Sequence, residues 1–233
     1  MTTAAILQPS YLSWPGHFYW MKNCDVFIFL DDAQFTRQDW RNRNFIKTAQ
    51  GKQLLTVPVH WYGNSYAPIN TIEIANEHQW AKKHSQALRI AYGRAPYFKQ
   101  YFPYFEKIFS RNWKMLSGLT ITTMKDLAAF LDIRPRFVVS SELKIHTENS
   151  TDKLVKLCQA VGAKTYVAGK RGYENYIEHR YFEEAGIKII VKDYASIEYP
   201  QLWGNFISHL SVVDLLFNCG AESKQYIENI DNG

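Results

Sequence analysis

Apolar residues fall into two kinds of pattern along this chain. Residues 4–7 and 26–30 are unbroken apolar runs without alternation, as expected of strands covered on both faces in a parallel sheet. Between them, residues 15–22 have the length of a short crossover helix, so the first thirty residues predict a βαβ unit. A second such unit is predicted near the end: strand at 165–168, helix at 174–185 stopped by Gly186, strand at 187–191. The middle differs in kind. Residues 54–59 and 69–74 look like antiparallel strands joined by a Gly63-Asn64 turn, and 77–131 look mostly helical. Apolar spacing at Leu154, Leu157, Cys158 and Val161 marks an amphipathic helix, and Val212, Val213, Leu215, Leu216 and Phe217 mark another. Ser140-Ser141 closes a strand, and Thr151 is the expected N-cap of the helix after it. The predicted architecture is α/β: a parallel sheet flanked by helices, with an inserted β-hairpin and helical lobe at 54–131, in one domain spanning 1–233.

Composition narrows the class without naming a chemistry. Of 233 residues, 46% are hydrophobic and 15% aromatic, enough to bury a core and to exclude disorder. The net charge of +5 is spread along the chain, so charge alone does not argue for nucleic acid. Cys24, Cys158 and Cys219 lie far apart without C-x-x-C spacing, which fits reduced structural thiols and not a disulfide framework or cysteine zinc site. The start lacks the basic and apolar regions of a signal peptide, and no apolar run approaches the roughly 20 residues of a membrane span. The expectation is a cytoplasmic protein without membrane insertion.

Ligands of open α/β sheets bind at the carboxyl ends of the strands, and three polar groups of residues fall there. The segment from Gln8 to His17 leaves the first strand: Gly16 would admit a ligand to the backbone, the helix start offers N–H groups to an anion, and His17 could touch a phosphate. The same residues also fit a plain loop shaped by Pro9, Pro15 and Gly16, with Tyr11 and Trp14 packed beneath it. Asp31 and Asp32 leave the second strand. A carboxylate there could take a proton from an attacking amine or hold a sugar hydroxyl, or could cap a turn, and only one of two adjacent residues should face a cleft. Gly169 and Lys170 follow the late strand and could wrap a phosphate or form a tight turn.

Trp40-Arg41-Asn42-Arg43-Asn44 is the polar segment hardest to explain structurally. Two guanidinium forks and two amides in four consecutive positions suit phosphate, carboxylate and sugar hydroxyls, and Trp40 offers a stacking face. A solvated turn is the alternative. His60, His78, His84, His146, His179 and His209 lack metal-binding spacing and read as packing or surface residues, so no metal site is expected. No P-loop, G-x-S-x-G elbow or G-x-G-x-x-G fingerprint occurs.

Taken together, the segments 8–16, 25–32, 40–44 and 211–220, in this order and spacing, resemble the WbqC-like family of bacterial proteins. That family is associated with O-antigen and other surface-polysaccharide gene clusters, so the resemblance implies work on an activated sugar. In the family the position of His17 is often aromatic, which favours Gln8, Asp31 or Asp32, Asn42 and Arg43 as the shared polar set. The Trp14-Pro15-Gly16-His17 stretch is also similar to the second half of the H-x-G-H motif of the nucleotidyltransferase and pantothenate-synthetase superfamily, with Lys170 where such enzymes place a phosphate-binding lysine. This second resemblance implies a nucleotidyltransferase-like sheet and ATP or another nucleotide as co-substrate.

The expected function is a transferase or ligase that joins an acyl or aminoacyl group to a nucleotide-linked amino sugar. Asp31 or Asp32 would remove the amine proton, with His17 a third catalytic candidate. Gln8, Tyr11, Gly16, Trp40, Arg41, Asn42, Arg43, Asn44, Gly169 and Lys170 would bind substrate. The alternatives are a noncatalytic glycan- or partner-binding module, or an RNA-binding protein whose donor is aminoacyl-tRNA.

Overall fold

The computed structural model describes residues 1–60 and 66–228, with the side chain of residue 228 excepted. Its centre is a five-stranded parallel sheet built from β1 (Thr3–Leu7), β2 (Val26–Phe29), β5 (Arg136–Val139), β6 (Thr165–Gly169) and β7 (Lys188–Lys192), in the order β5-β2-β1-β6-β7. The chain thus moves outward from β1 through β2 to β5, crosses back to the other side of β1, and moves outward again through β6 to β7. Alternation along the strands divides the core in two. Ala5, Phe27, Phe29 and Val167 pack on one face with α1 (Pro15–Lys22) and the middle helices, whereas Ala4, Ile6, Val26, Ile28, Tyr166 and Ala168 pack on the other with α5 (Ser150–Ala160).

Between β2 and β5 the chain leaves the sheet for about a hundred residues. The inserted hairpin is there, but it uses other residues than the apolar pattern indicated: β3 (Arg43–Thr48) pairs with β4 (Gly51–Thr56) around a turn that ends on Gly51 at φ +104°. The pattern misled because β3 buries a polar residue on each of its faces, Asn44 on one and Lys47 on the other. Of the pairing expected between 54–59 and 69–74, the structure keeps an isolated antiparallel bridge from Val59 to Ile74; the Gly63-Asn64 turn lies outside the described residues. Helices α2 (Trp80–Tyr92), α3 (Phe98–Ser110) and α4 (Leu116–Phe130) then bury their apolar faces in the larger core.

The helix expected at 174–185 is two helices, α6 (Lys170–Tyr176) and α7 (His179–Glu184). Thr151 explains the break. Its hydroxyl donates to the Tyr176 carbonyl oxygen at 3.1 Å and accepts the Glu178 N–H at 3.2 Å, so it pins the break between the two helices from α5. Thr151 is therefore not the cap of α5; the Asn149 side chain is, accepting the Asp152 N–H at 2.9 Å. The chain closes with α8 (Val212–Cys219), buried along its whole length, and α9 (Gln225–Glu228). Among the described residues no helix is long and apolar enough to cross a membrane.

Candidate functional site

Because the connections from β1 and β6 run to opposite sides of the sheet, the loops leaving their carboxyl ends diverge and leave a crevice between them. One wall is the loop from Gln8 to Trp14 with the first turn of α1; the other is Gly169 at the end of β6.

The first loop is built under constraint. Leu12, fully buried, sits at φ +41°, a left-handed conformation that costs a leucine about 1–2 kcal/mol. The Asn44 amide donates to the Leu12 carbonyl oxygen at 2.8 Å, Ser13 Oγ donates to the Ser10 carbonyl oxygen, and the Val212 N–H of α8 donates to the Ser13 carbonyl oxygen. Tyr11 is buried and its hydroxyl meets His84 Nδ1 at 2.8 Å, so it does not line a sugar pocket as the sequence suggested. Gly16 has a steric role, since a Cβ there would overlap the Trp14 indole. The helix start offers an anion less than expected: Pro15 has no N–H, and that of His17 returns to the Trp14 carbonyl oxygen at 3.1 Å.

Polar contacts then run from Arg41 to His17. Arg41 Nη1 donates to the Gln8 carbonyl oxygen at 3.2 Å and to Ser10 Oγ at 3.0 Å, and Nη2 donates to Asp39 at 3.3 Å. Ser10 Oγ lies 3.4 Å from His17 Nε2. Burial, and after it the positive charge of Arg41, pushes the His17 imidazole down to about 3 against the opposing pull of Asp39, so the ring is neutral at physiological pH. Three buried nitrogens here lack any partner: His17 Nδ1, Trp20 Nε1 and Arg41 Nε. Trp20 closes the other side of the crevice. Its ring lies against Gly169, where a Cβ would come within 2.9 Å of it, so Gly169 makes room for an indole.

One strand further along, the carboxylates divide their labour. Asp31 is 3% exposed and accepts from the Ser141 N–H at 3.0 Å, Ser141 Oγ at 2.8 Å and Ser140 Oγ at 3.1 Å. Asp32 also meets Ser140 Oγ and forms an ion pair with Lys153 of α5 at 2.7 Å. Only Asp32 of the two lines a cleft of about 630 Å³, together with Ser141, Lys144, His146, Asn70 and Lys153. Ser140, Ser141 and Lys153 are the partners sequence reading missed. A pair of hydroxyls leaving β5, the neighbour of β2, was the available signal.

The Arg-Asn run is split by its strand. Asn42 donates to the Val57 carbonyl oxygen at 2.8 Å and Asn44 to Leu12, so both amides, expected to hold ligand, are buried and hold backbone instead. Arg43 leaves β3 on the face opposite Asn44, and Arg41 is the guanidinium that bonds the Gln8 to Trp14 loop. Trp40 is 46% exposed and packs on Phe45 at 5.8 Å. Lys170, exposed, opens α6. A further depression between α2 and α3, about 430 Å³, lies away from the strand ends, and two of its charged residues, Arg89 and Glu106, pair with each other at 2.6 Å.

The model of the WbqC-like protein family matches residues 8–226, which take in both the crevice and the cleft. The chain is also 36% identical over 229 residues to "Uncharacterized protein Rv1507c" of Mycobacterium tuberculosis, an alignment covering 97% of this chain and 98% of that one. No solved structure matches it.

Proposed function

The chain belongs to the WbqC-like protein family, and we propose that it is a transferase of bacterial surface-polysaccharide biosynthesis that joins an acyl or aminoacyl group to the amine of a nucleotide-linked amino sugar. The family's association with O-antigen clusters supplies the pathway. The observation that carries the chemistry is the pair Asp31 and Asp32, which share Ser140, with Asp32 alone of the two paired to the Lys153 ammonium. Asp31 is fixed by its hydrogen bonds, and Asp32 lies at the cleft surface.

In the reaction, the sugar nitrogen attacks the acyl carbonyl carbon and the C–N bond forms. The bond from that carbon to the leaving group breaks with its electron pair, and the surplus amine proton passes to Asp32. Lys153 is placed beside Asp32 to meet negative charge developing on the carbonyl oxygen or the leaving group. Removing a donor of this kind typically costs on the order of 10²–10³ in turnover.

The test is a thermal-shift comparison of a uridine-diphosphate amino sugar with its hydroxyl counterpart, followed by mass spectrometry after addition of acyl and aminoacyl donors. A ligand at 100 times its Kd stabilises by about 2.7 kcal/mol. Stabilisation by the amino sugar that exceeds the hydroxyl sugar's, and that is lost in Asp32→Asn, supports the reading; equal shifts in both proteins defeat it.

A noncatalytic glycan-binding reading rests on a different observation. Exposed Trp40 packs on Phe45, which stands opposite the partly exposed Leu54 in the hairpin register. Retention on a glycan column that Trp40→Ala abolishes and Asp32→Asn preserves would favour it.

A further inference from the structure

The three unpartnered nitrogens at the crevice are the most costly polar atoms among the described residues. A buried donor left without an acceptor costs about 1–3 kcal/mol, and more when it is charged. His17 Nδ1, Trp20 Nε1 and Arg41 Nε belong to adjoining side chains: Ser10 Oγ links Arg41 to His17, and the His17 and Trp20 rings meet edge to face with centroids 6.5 Å apart. They also stand at the point where the sheet reverses direction.

Two of the three are donors at any ordinary pH, and the third is a donor in one of its two neutral tautomers. Indole Nε1 and guanidinium Nε carry hydrogens in every state at ordinary pH. Ser10 Oγ, which accepts from Arg41, lies 3.5 Å from the Gln8 carbonyl oxygen and 3.4 Å from His17 Nε2; when its proton goes to Nε2, the ring proton is on Nδ1 and the imidazole is the third donor. A ligand that satisfies all three must therefore present several acceptors in different directions, and the buried guanidinium favours a negative one. Asp39 does not fill this need, since it is bonded to Arg41 through Nη2 and not Nε.

We propose that the crevice between β1 and β6 is a phosphoryl-binding subsite, in which His17 Nδ1, Trp20 Nε1 and Arg41 Nε donate to the oxygens of a phosphate group carried by the substrate. Trp14 is its cover: the indole packs edge to face on His17 and Trp20, against Tyr194 at 5.0 Å, and stacks on His209 at 5.6 Å. Entry of the phosphate requires Trp14 to swing off Gly16. Neighbouring strands are about 4.8 Å apart, so the subsite lies roughly 10 Å along the sheet edge from the Asp32 cleft, a distance that a nucleotide sugar spans. The identification of the phosphate with the substrate's own rests on the amino-sugar reading; the three donors do not.

The experiment observes the indole N–H directly. The seven tryptophans give seven indole cross-peaks in a proton–nitrogen correlation spectrum, of which Trp20 is identified by its loss in Trp20→Phe. Inorganic phosphate, uridine monophosphate and a hexose 1-phosphate are titrated separately, with acetate as control. The proposal expects the Trp20 peak to move downfield and saturate with at least one phosphate. The tightest of the three tells whether the group is free, nucleotide-borne or sugar-borne. Arg41→Lys and His17→Phe, tested as separate proteins, should each weaken that titration about tenfold or more, in line with a lost charge-assisted or buried hydrogen bond. A Trp20 peak that stays put with every phosphate, or moves equally with acetate, overturns the proposal, as does unchanged affinity in both variants. Failure here is separable from failure of the amino-sugar reading, which is judged by the amine-dependent thermal shift and Asp32→Asn.

Discussion

Asn44 of β3 donates its amide to the carbonyl oxygen of Leu12 at 2.8 Å, and Leu12 is a buried leucine held at φ +41°. The Asn44 side-chain oxygen in turn accepts the Phe45 N–H at 2.8 Å, so the amide is locked in orientation. The inserted hairpin thereby holds the strained turn of the loop that forms one wall of the crevice. Strain of this kind persists only where surroundings over-determine it.

Asn44→Ala removes that constraint and leaves the Leu12 carbonyl buried without its best donor. The expected loss is about 2 kcal/mol of unfolding free energy, the usual cost of an unsatisfied buried group, read from the urea midpoint at constant m. Asn44→Asp should do no better, because a carboxylate cannot donate to Leu12. A loss within 0.5 kcal/mol, the range of about ±0.5 kcal/mol typical of surface substitutions, in both variants would show that the loop does not depend on this contact.

Asp31 and Asp32 separate in the same way. Asp31→Asn replaces one of two oxygens that between them accept from the Ser141 N–H and both serine hydroxyls, so it should cost roughly 2–3 kcal/mol in stability. Asp32→Asn keeps the fold within about 1 kcal/mol, since its ion pair with Lys153 is partly solvated. It should nonetheless abolish ligand-dependent stabilisation. Thermal melts of the two variants, with and without an amino-sugar nucleotide, distinguish these roles; the reverse assignment would show Asp31 as the cleft residue.

These contrasts explain what could be read from the chain. Strands β1, β2 and β6 were legible because both their faces are covered, which leaves unbroken apolar runs such as Val26 to Phe29, and β7, an edge strand that is only partly covered, still carries the run Ile189 to Val191. Strand β3 was hidden because Asn44 and Lys47, buried on its opposite faces, spend their polarity on partners elsewhere: Leu12 for the amide, Gln201 and the Asn205 carbonyl oxygen for the ammonium. Asp31 and Asp32 were found from their place at a strand end, but Ser140 lies over a hundred residues away, and strand order alone brings it alongside. Gly169 was placed at the strand edge where it stands, but nothing in the local sequence shows that Trp20 lies across it.

That packing is itself testable. Gly169→Ala puts a methyl group within 2.9 Å of the Trp20 ring and forces the indole to move. Overpacking of this kind typically costs about 1–3 kcal/mol. The Trp20 indole peak should shift in the unliganded protein, and phosphate titration should weaken. An unshifted peak would place Trp20 away from the end of β6.

Acid stability gives a last check on the crevice. Burial pushes His17 down to about 3 and His84, also buried, down to about 4, with Lys83 adding to the second shift and a hydrogen bond to the Thr56 backbone opposing it. In the unfolded chain both titrate near 6.5, so between these values the unfolded state binds more protons and stability falls as pH falls. The contribution is whole above pH 6.5 and is lost progressively until each folded-state value is passed. At pH 5 the loss is about 2 kcal/mol for each histidine. His17→Phe should remove about half of the decline in unfolding free energy between pH 7.5 and pH 5, whatever its own stability at pH 7.5. A variant that declines as steeply as the native chain would mean that His17 is protonated in the folded protein. A bound phosphate should reduce the same decline, because an anion against Nδ1 favours the imidazolium and lets the folded state take up the proton.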